Sequence, residues 1–210
     1  MTGRITTAVG ALAFSATCAW AQATPNDPPS PVALDNEYVH VARDTTSCAD
    51  ANTPGCEDRV IVAYGPIDVS SGKKHLRLAK GQVAVFQKGD SYHVSGANYF
   101  EVAIKPDHPP VKSPAEMIAP SKNKPIYDGP RFFIYEERLA PGDTRPRHSH
   151  SQRIEIRPNV GPLLDQWLDP PAKPILPSIV NFRQAGIHIT KNVGDMALRN
   201  LIVEFKPERE

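Results

Sequence analysis

An internal repeat constrains the fold of this chain more than any other feature of its sequence. Segments of the first half recur in the second half at offsets of 93 to 101 residues. The matching pairs are Leu34-Asp35 with Tyr127-Asp128, the stretch around His93 with that around His188, and EVAIKP at 101–106 with IVEFKP at 202–207. A repeat of this length predicts two similar folding units in one chain.

Short runs rich in Val, Ile, Phe and Tyr fill both halves and are separated by Gly, Pro, Asn and Asp. Almost no segment has a helical period, whereas Leu201, Val203 and Phe205 alternate with other residues as in a strand. The pattern predicts an all-β protein of short antiparallel strands, arranged as a sandwich or jelly roll.

The first 23 residues are typical of a cleaved signal peptide. Arg4 precedes an apolar stretch from Val9 to Ala19, and Ala21-Gln22-Ala23 is an A-x-A cleavage signal. Lipidation of Cys18 is the alternative, although the residues before it form a poor lipidation signal. The apolar stretch is shorter than the roughly 20 residues that cross a bilayer, so we expect no transmembrane segment and a periplasmic or secreted protein.

Loss of residues 1–23 removes Arg4 alone among the charged residues, which leaves 23 of the 24 basic residues beside 23 acidic ones. Such a neutral chain gives no support to nucleic-acid binding. Two cysteines remain, Cys48 and Cys56, and an even number in an oxidising compartment predicts that they form a disulfide.

Two segments rich in proline and polar residues are expected to be linkers. They cover residues 24–33 and 111–124. The exported chain is thereby divided into one unit at 34–110 and another at 125–210.

The second unit contains residues of the types that ligate metals. His148 and His150 are separated by one residue, Ser149, so on a strand their side chains project from the same face. Glu155 follows, and His188 lies further along the chain. Because imidazole and carboxylate groups suit Mn, Fe, Zn, Ni or Cu, these residues predict a site for one divalent transition metal. A pair of solvated strand histidines is the alternative.

The position of Glu155 leaves two interpretations open. It lies five residues after His150, so strict alternation puts it on the opposite face, in ion pairs with Arg153 and Arg157. A bulge in the intervening residues would turn the carboxylate inward as a metal ligand. If Glu155 is no ligand, Gln152 has the parity of the histidines and becomes the substitute ligand or a supporting donor.

Further residues are candidates for contact with a bound small molecule. Arg153 is one of five arginines near the motif, with Arg138, Arg145, Arg147 and Arg157. Arginines that face a cavity would favour an anionic, oxygen-rich ligand, and a solvated charged face is the alternative. Asn192 belongs to the turn that follows His188.

These motifs resemble those of the cupin superfamily. The first cupin motif is matched by Gly142, His148, His150 and Glu155, with Gly161 one residue early, and the end of the second motif is matched by His188 and Asn192. In the first half SCADANTPGCEDRV stands in place of the His-x-His motif, and only His93 survives. The chain therefore resembles a bicupin with one intact and one degenerate site.

The resemblance implies two tandem jelly-roll β-barrels. The barrel at 125–210 would hold the metal through His148, His150, Glu155 and His188. The degenerate barrel at 34–110 would carry the disulfide and keep His93 as a packed or hydrogen-bonded remnant. Exposed strand edges in such folds are compatible with a homo-oligomer.

Two classes of function are consistent with this interpretation. The first is a metal-binding protein that takes a small oxygen-rich ligand or substrate. The second is a metal-dependent oxidoreductase, decarboxylase or isomerase, similar to dioxygenases, that acts on a small acid, phenol, diketone or sugar. Beyond the ligands, the sequence indicates no catalytic acid or base that would choose between reactions.

The expected disulfide is open to a direct test. Without reductant, Cys48 and Cys56 of the exported protein should resist alkylation, and reduction should expose both thiols and lower the free energy of unfolding by about 2 to 3 kcal/mol. Mass spectrometry of the alkylated protein makes the measurement. Two alkylated cysteines in the unreduced protein would contradict the prediction.

Overall fold

The structure of the chain is a computed structural model. It describes residues 31–46, 49–50, 57–114, 116–118, 123–158, 163–167, 173–175 and 179–207, and for 163–167 and 173–175 it describes the backbone. These residues form strands, turns and extended segments, with no helix among them. Accordingly, the described part contains no helix that could span a membrane.

Short segments rich in β-branched and aromatic residues form the strands, as their pattern predicts. The strands of the first half are β1 (Val32–Asp35), β2 (Val39–Arg43), β3 (Arg59–Ala63), β4 (Ile67–Ser71), β5 (Lys74–Leu78), β6 (Val83–Phe86), β7 (His93–Ser95) and β8 (Tyr99–Ile104). Those of the second half are β9 (Asn123–Asp128), β10 (Phe132–Leu139), β11 (Thr144–His150), β12 (Arg153–Ile156), β13 (Leu163–Trp167), β14 (Lys173–Ile175), β15 (Val180–Arg183), β16 (Gly186–Asn192) and β17 (Leu198–Phe205).

Each half consists of a five-stranded sheet and a smaller sheet. The five-stranded sheets have the orders β1-β2-β8-β3-β6 and β9-β10-β17-β12-β15, and the smaller ones have the orders β5-β4-β7 and β14-β13-β16-β11. All of the pairings between strands are antiparallel. The order of strands is thus repeated from one half to the other, as the sequence repeat predicts.

The two five-stranded sheets pack face to face and share the largest apolar core. The first sheet contributes Val39, Val41, Val60, Val62, Phe100, Val102 and Ile104, and the second contributes Phe132, Ile134, Ile154, Ile156, Leu201, Val203 and Phe205. Alternate residues of the same strands point the other way, toward the smaller sheet of their own half. The shared core therefore joins the halves.

The interior of the first half is mainly apolar. Its five-stranded and three-stranded sheets enclose Ile61, Ala63, Ile67, Val69, Leu78, Ala84, Phe86, Tyr92 and Tyr99. Val94 of β7 packs against this cluster, whereas His93 is exposed. His93 is therefore not packed in the interior, because the alternation of β7 turns Val94 inward instead.

Several expectations concern residues outside the described ranges. These are the signal peptide at 1–23, most of the linker at 24–33, and both Cys48 and Cys56. The described parts of the expected linkers are ordered by contacts: β1 begins at Val32, and Val111 joins the shared core. Within 116–118, the Ile118 amide donates to Ser149 Oγ at 2.7 Å.

Replacement of Leu201 by Ala tests whether the halves share one core. Because Leu201 is fully buried between the sheets, we expect a loss of about 2 to 5 kcal/mol of unfolding free energy, within a single cooperative transition. Leu76→Ala, at a half-exposed position, is the matched control and should change it by about 0.5 kcal/mol or less. Urea unfolding provides the measurement. Two separate transitions, of which Leu201→Ala moves one, would contradict a shared core.

Candidate metal centre

Three of the predicted ligands converge in the interior of the second half. His148 and His150 lie on β11, and His188 lies directly opposite His148 on β16. The ring centroids are 4.4 Å apart for His148 and His188, 4.7 Å for His148 and His150, and 5.1 Å for His150 and His188. All three residues are buried, and their ligand atoms lie within 4.8 Å of one another.

Local sequence explains how β11 reaches this position. The Pro141-Gly142 pair forms the turn after β10, and Gly142 has a φ of 79°, which a residue with a side chain rarely adopts. The Gly142 amide donates to the Asn192 carbonyl at 3.0 Å, so the turn also joins the start of β11 to the end of β16. Alternation along β11 then directs both of its histidines to one face.

Hydrogen bonding leaves Nε2 of His148 available to a metal. Its Nδ1 lies 2.6 Å from the Pro146 carbonyl oxygen, which can only accept, so Nδ1 carries the hydrogen. Nε2 then has the lone pair, and this buried atom has no partner among the described residues. A backbone carbonyl on the remote nitrogen is a usual support of a metal-ligating histidine.

A carboxylate supports His150. Glu204 Oε2 lies 2.7 Å from Nδ1 of His150 and also accepts a hydrogen bond of 2.7 Å from the Tyr135 hydroxyl. Glu204 lies on β17 and Tyr135 on β10, so two strands of the five-stranded sheet contact the histidine strand across the interior. Neither residue was predicted. A lone acid within the apolar run LIVEF is the signal that could have revealed Glu204, since a buried carboxylate needs a partner.

Burial keeps His148 and His150 neutral, which is the form that binds metals. Burial, followed by the nearby Arg145 guanidinium, lowers the pKa of His148 to about 3. Burial, followed by Arg153, also lowers the pKa of His150. For Glu204, burial raises the pKa of the carboxyl, although the Tyr135 hydrogen bond acts in the opposite direction.

Glu155, the fourth predicted ligand, is bound by arginines. Its Oε1 accepts from Arg153 Nε at 3.0 Å, and its Oε2 accepts from Arg157 Nη2 at 2.9 Å and from Arg183 Nε at 3.3 Å. Burial raises the pKa of Glu155, but Arg153, Arg183 and Arg157 outweigh that effect and lower the pKa to about 2. Of the two interpretations that the sequence leaves open, the structure shows the pairing of Glu155 with arginines. These ion pairs are buried in the interior, however, and do not lie on the surface.

A break in the chain after His150 explains this placement. β11 ends at His150, Ser151 and Gln152 form a bend, and β12 continues in the five-stranded sheet. Glu155 therefore lies in a different sheet from the histidines. Gln152 donates to Gln184 Oε1 at 2.8 Å and to the Tyr38 hydroxyl at 3.1 Å, so its amide lies at the junction of the halves.

The remaining predicted residues have structural contacts of their own. Asn192 donates to the carbonyls of Leu139 and Met196 and stabilises the turn after β16. Of the five arginines near the motif, Arg145, Arg153 and Arg157 are buried, which contradicts a wholly solvated face. The other two, Arg138 and Arg147, are partly or largely exposed and pair with glutamates.

The chemistry of the cluster fits a transition metal. Three imidazoles are a known ligand set, and they leave at least one coordination position for a small molecule. Metal–nitrogen bonds of about 2.0 to 2.1 Å require the nitrogens to lie within about 4 Å of one another. In the structure the ligand atoms of the three histidines lie near that separation, within 4.8 Å of one another.

Comparisons with known proteins identify the fold. No protein-family model and no curated protein matches this sequence. The cupin 2 conserved barrel domain protein from Leptotrichia buccalis is similar in structure, with a TM-score of 0.51 and 13% identity over 82% of this chain and 86% of that chain.

Two further solved structures show the same likeness. The Lactobacillus farciminis oxalate decarboxylase formate complex has a TM-score of 0.55 and 13% identity, covering 82% of this chain and 78% of that chain. An IolB-like protein from Salmonella typhimurium has a TM-score of 0.56 and 14% identity, covering 82% and 85%. The predicted all-β, cupin-like fold is thereby confirmed.

The arginine pairing of Glu155 predicts a pH-dependent stability. Because its folded-state pKa is lowered, the charged carboxylate stabilises the fold above its unfolded pKa near 4.5, and this contribution is lost as the pH falls toward 2. At pH 7, Glu155→Gln should lower the free energy of unfolding by about 3 to 5 kcal/mol, and the difference from wild type should shrink in acid.

Urea unfolding between pH 7 and pH 2.5 provides the measurement. Glu116→Gln is the matched control, because Glu116 is exposed and pairs with Arg147 at 2.9 Å on the surface. That pair should contribute about 1 kcal/mol or less. Equal effects of the two substitutions at pH 7 would contradict the buried network around Glu155.

Proposed function

We propose that the protein is an exported bicupin whose second half holds one divalent transition metal through His148, His150 and His188. The observation that carries the proposal is the convergence of three buried imidazoles, on two paired strands of a cupin-like fold. In this proposal the metal presents open coordination positions to a small oxygen-rich ligand or substrate.

The donor set bears on the identity of the metal. Imidazole suits Zn, Cu, Fe and Ni, whereas Mn prefers sites with carboxylate oxygens. Glu155 would have to leave Arg153, Arg157 and Arg183 to complete the expected set of three histidines and one glutamate. The arrangement of the described residues therefore supports a three-histidine site and one of the first four metals.

Buried guanidinium groups support an oxygen-rich anion as the ligand. Nε of Arg145 and Nη1 of Arg157 are buried and donate to none of the described residues. Arg145 also acts on the histidines electrostatically, since it contributes to the lowered pKa of His148. A carboxylate or another oxyanion is the group that arginines of this kind recognise.

The first half supports its role as the degenerate unit. By strand pairing, Ile61 is the counterpart of Glu155 and Ala103 that of Glu204. On β7 it is Val94 that packs inward. Apolar residues thus stand where the second half has polar groups. In this proposal the first half is a barrel that contributes stability and a surface to the second barrel.

Catalysis is the second candidate function. Three protein ligands with an open position are typical of catalytic rather than structural metal sites. A bound metal would supply Lewis-acid or redox chemistry to an oxidoreductase, decarboxylase or isomerase. The buried arginines would hold the acid group of the substrate. Consumption of oxygen, release of carbon dioxide or conversion of the substrate to an isomer by Fe-loaded protein, on a panel of small acids, phenols, diketones and sugars, separates this function from binding alone.

The compartment and the assembly belong to the same proposal. The leader-like residues 1–23 support a periplasmic or secreted location, and Cys48 and Cys56 would then be bonded. A homo-oligomer is proposed on the exposed edges of the sheets. Intact mass and sedimentation of the exported protein test these points.

Substitution of the histidines tests the metal site. Replacement of His148, His150 or His188 by Ala removes one of three ligands, so Zn²⁺ affinity should fall by more than the 10-fold to 100-fold typical for the loss of a supporting residue. Zn²⁺ titration and elemental analysis provide the measurement. His93→Ala is the matched control, since His93 is exposed in the first half. Full occupancy of the His148→Ala protein would contradict the proposal.

A further inference from the structure

We propose that Glu204 is a positioning residue of the metal centre and that it acts on the metal through His150. The inference rests on the proposed function, because it presupposes a metal at the three histidines. Glu204 lies on β17 of the five-stranded sheet, and His150 ends β11 of the facing sheet. The carboxylate therefore reaches the ring across the interior of the second half.

The contact selects one tautomer of His150. Glu204 Oε2 lies 2.7 Å from Nδ1, and the Tyr135 hydroxyl oxygen lies 2.9 Å from it. Because the hydroxyl donates its hydrogen to Oε2 and the carboxylate accepts, Nδ1 is the donor. A neutral imidazole has a single N–H, and the lone pair is therefore on Nε2. With the opposite tautomer Nε2 would carry hydrogen and could not ligate a metal. Carboxylates that hold metal-ligating histidines in this way also orient the ring and raise its basicity.

Other bonds hold the Glu204 carboxylate in place. The Tyr135 hydroxyl donates to Oε2 at 2.7 Å, and the Ser151 amide donates to Oε1 at 2.7 Å. Ser151 directly follows His150, so one carboxylate anchors both the ring and the backbone beside it. Since both oxygens are engaged and the side chain is buried, the carboxylate has a defined orientation.

The other polar contacts near the cluster are of a different kind. The remote nitrogen of His148 bonds to a backbone carbonyl, that of Pro146, which no side-chain substitution can remove. The hydrogen bonds of Glu155 come from arginines. The acid of the sequence motif and the acid that serves the histidines are therefore different residues.

This arrangement has a consequence for ligand binding. The proposed protein ligands are three imidazoles, which bring no negative charge to a bound metal, and the carboxyl group of Glu204 lies one ring away. Coordination positions that a glutamate ligand would occupy stay available. An anionic ligand can therefore bind the metal directly, without competition from a protein carboxylate.

Glu204→Gln in the full exported chain tests the inference, with Co²⁺ as the probe. The amide preserves size but can donate to Nδ1 of His150, so the Co²⁺ Kd should rise by about 10-fold to 100-fold. Side-chain ¹⁵N NMR of the metal-free protein should show His150 protonated on Nδ1 in wild type and shifted toward Nε2 in the variant. A merely structural role would leave this tautomer unchanged.

The chain offers a matched control. Glu101→Gln removes another buried carboxylate that accepts from a tyrosine, Tyr92, but in the first half. It should leave the Co²⁺ Kd unchanged, measured where circular dichroism shows folded protein. Should Glu204→Gln fail to fold, Tyr135→Phe keeps the carboxylate and removes one of its donors. The Kd should then rise, although less than for loss of Glu204.

The outcomes separate this inference from the proposed function. An unchanged Kd and tautomer in folded Glu204→Gln, or an unchanged Kd in Tyr135→Phe where that variant decides, would overturn it. A rise in Glu101→Gln as large as that in Glu204→Gln would do the same. Failure of the wild-type protein to bind Co²⁺, or full binding by His148→Ala, would instead overturn the metal site itself.

Discussion

The apolar contact between the two five-stranded sheets supports the rest of this structure. Val41, Val102, Ile154 and Val203 are among its fully buried members, and their strands belong to different halves. Burial of such side chains stabilises the fold by roughly 25 cal/mol per Å² of apolar surface. With one face of each sheet used in this way, the opposite face of each is free to differ between the halves.

The opposite faces of the two five-stranded sheets differ in chemical character. Arg59 and Arg153 begin equivalent strands, β3 and β12, and both are buried. Arg59 bonds to backbone carbonyls beside an apolar cluster, whereas Arg153 belongs to a network of arginines, glutamates and histidines. Burial of an unpaired charge is costly. The polar interior is stable because nearly every carboxylate in it is paired. That low-dielectric environment also keeps His148 and His150 neutral, the form that binds a metal.

Much of this architecture could be predicted from local patterns. Strand character depends on short-range alternation, and duplication is visible as repeated segments, so the all-β class and the repeated order of strands followed from the sequence. His148 and His150 were predicted because an i, i+2 spacing on a strand has one geometric outcome. His188 required the repeat as well, because its pairing with His148 spans 40 residues of chain.

The sequence by itself determined the strands, their repeated order and the convergence of the three imidazoles, because each depends on spacing or repetition along the chain. Only the tertiary structure decided which carboxylate contacts the histidines. Two residues without regular pairing, Ser151 and Gln152, move the chain into another sheet, so Glu155 joins the arginines. Glu204, distant in sequence, reaches His150 because β17 and β11 face each other across the interior. Contacts between facing sheets depend on how those sheets pack, and local spacing along the chain does not determine that packing.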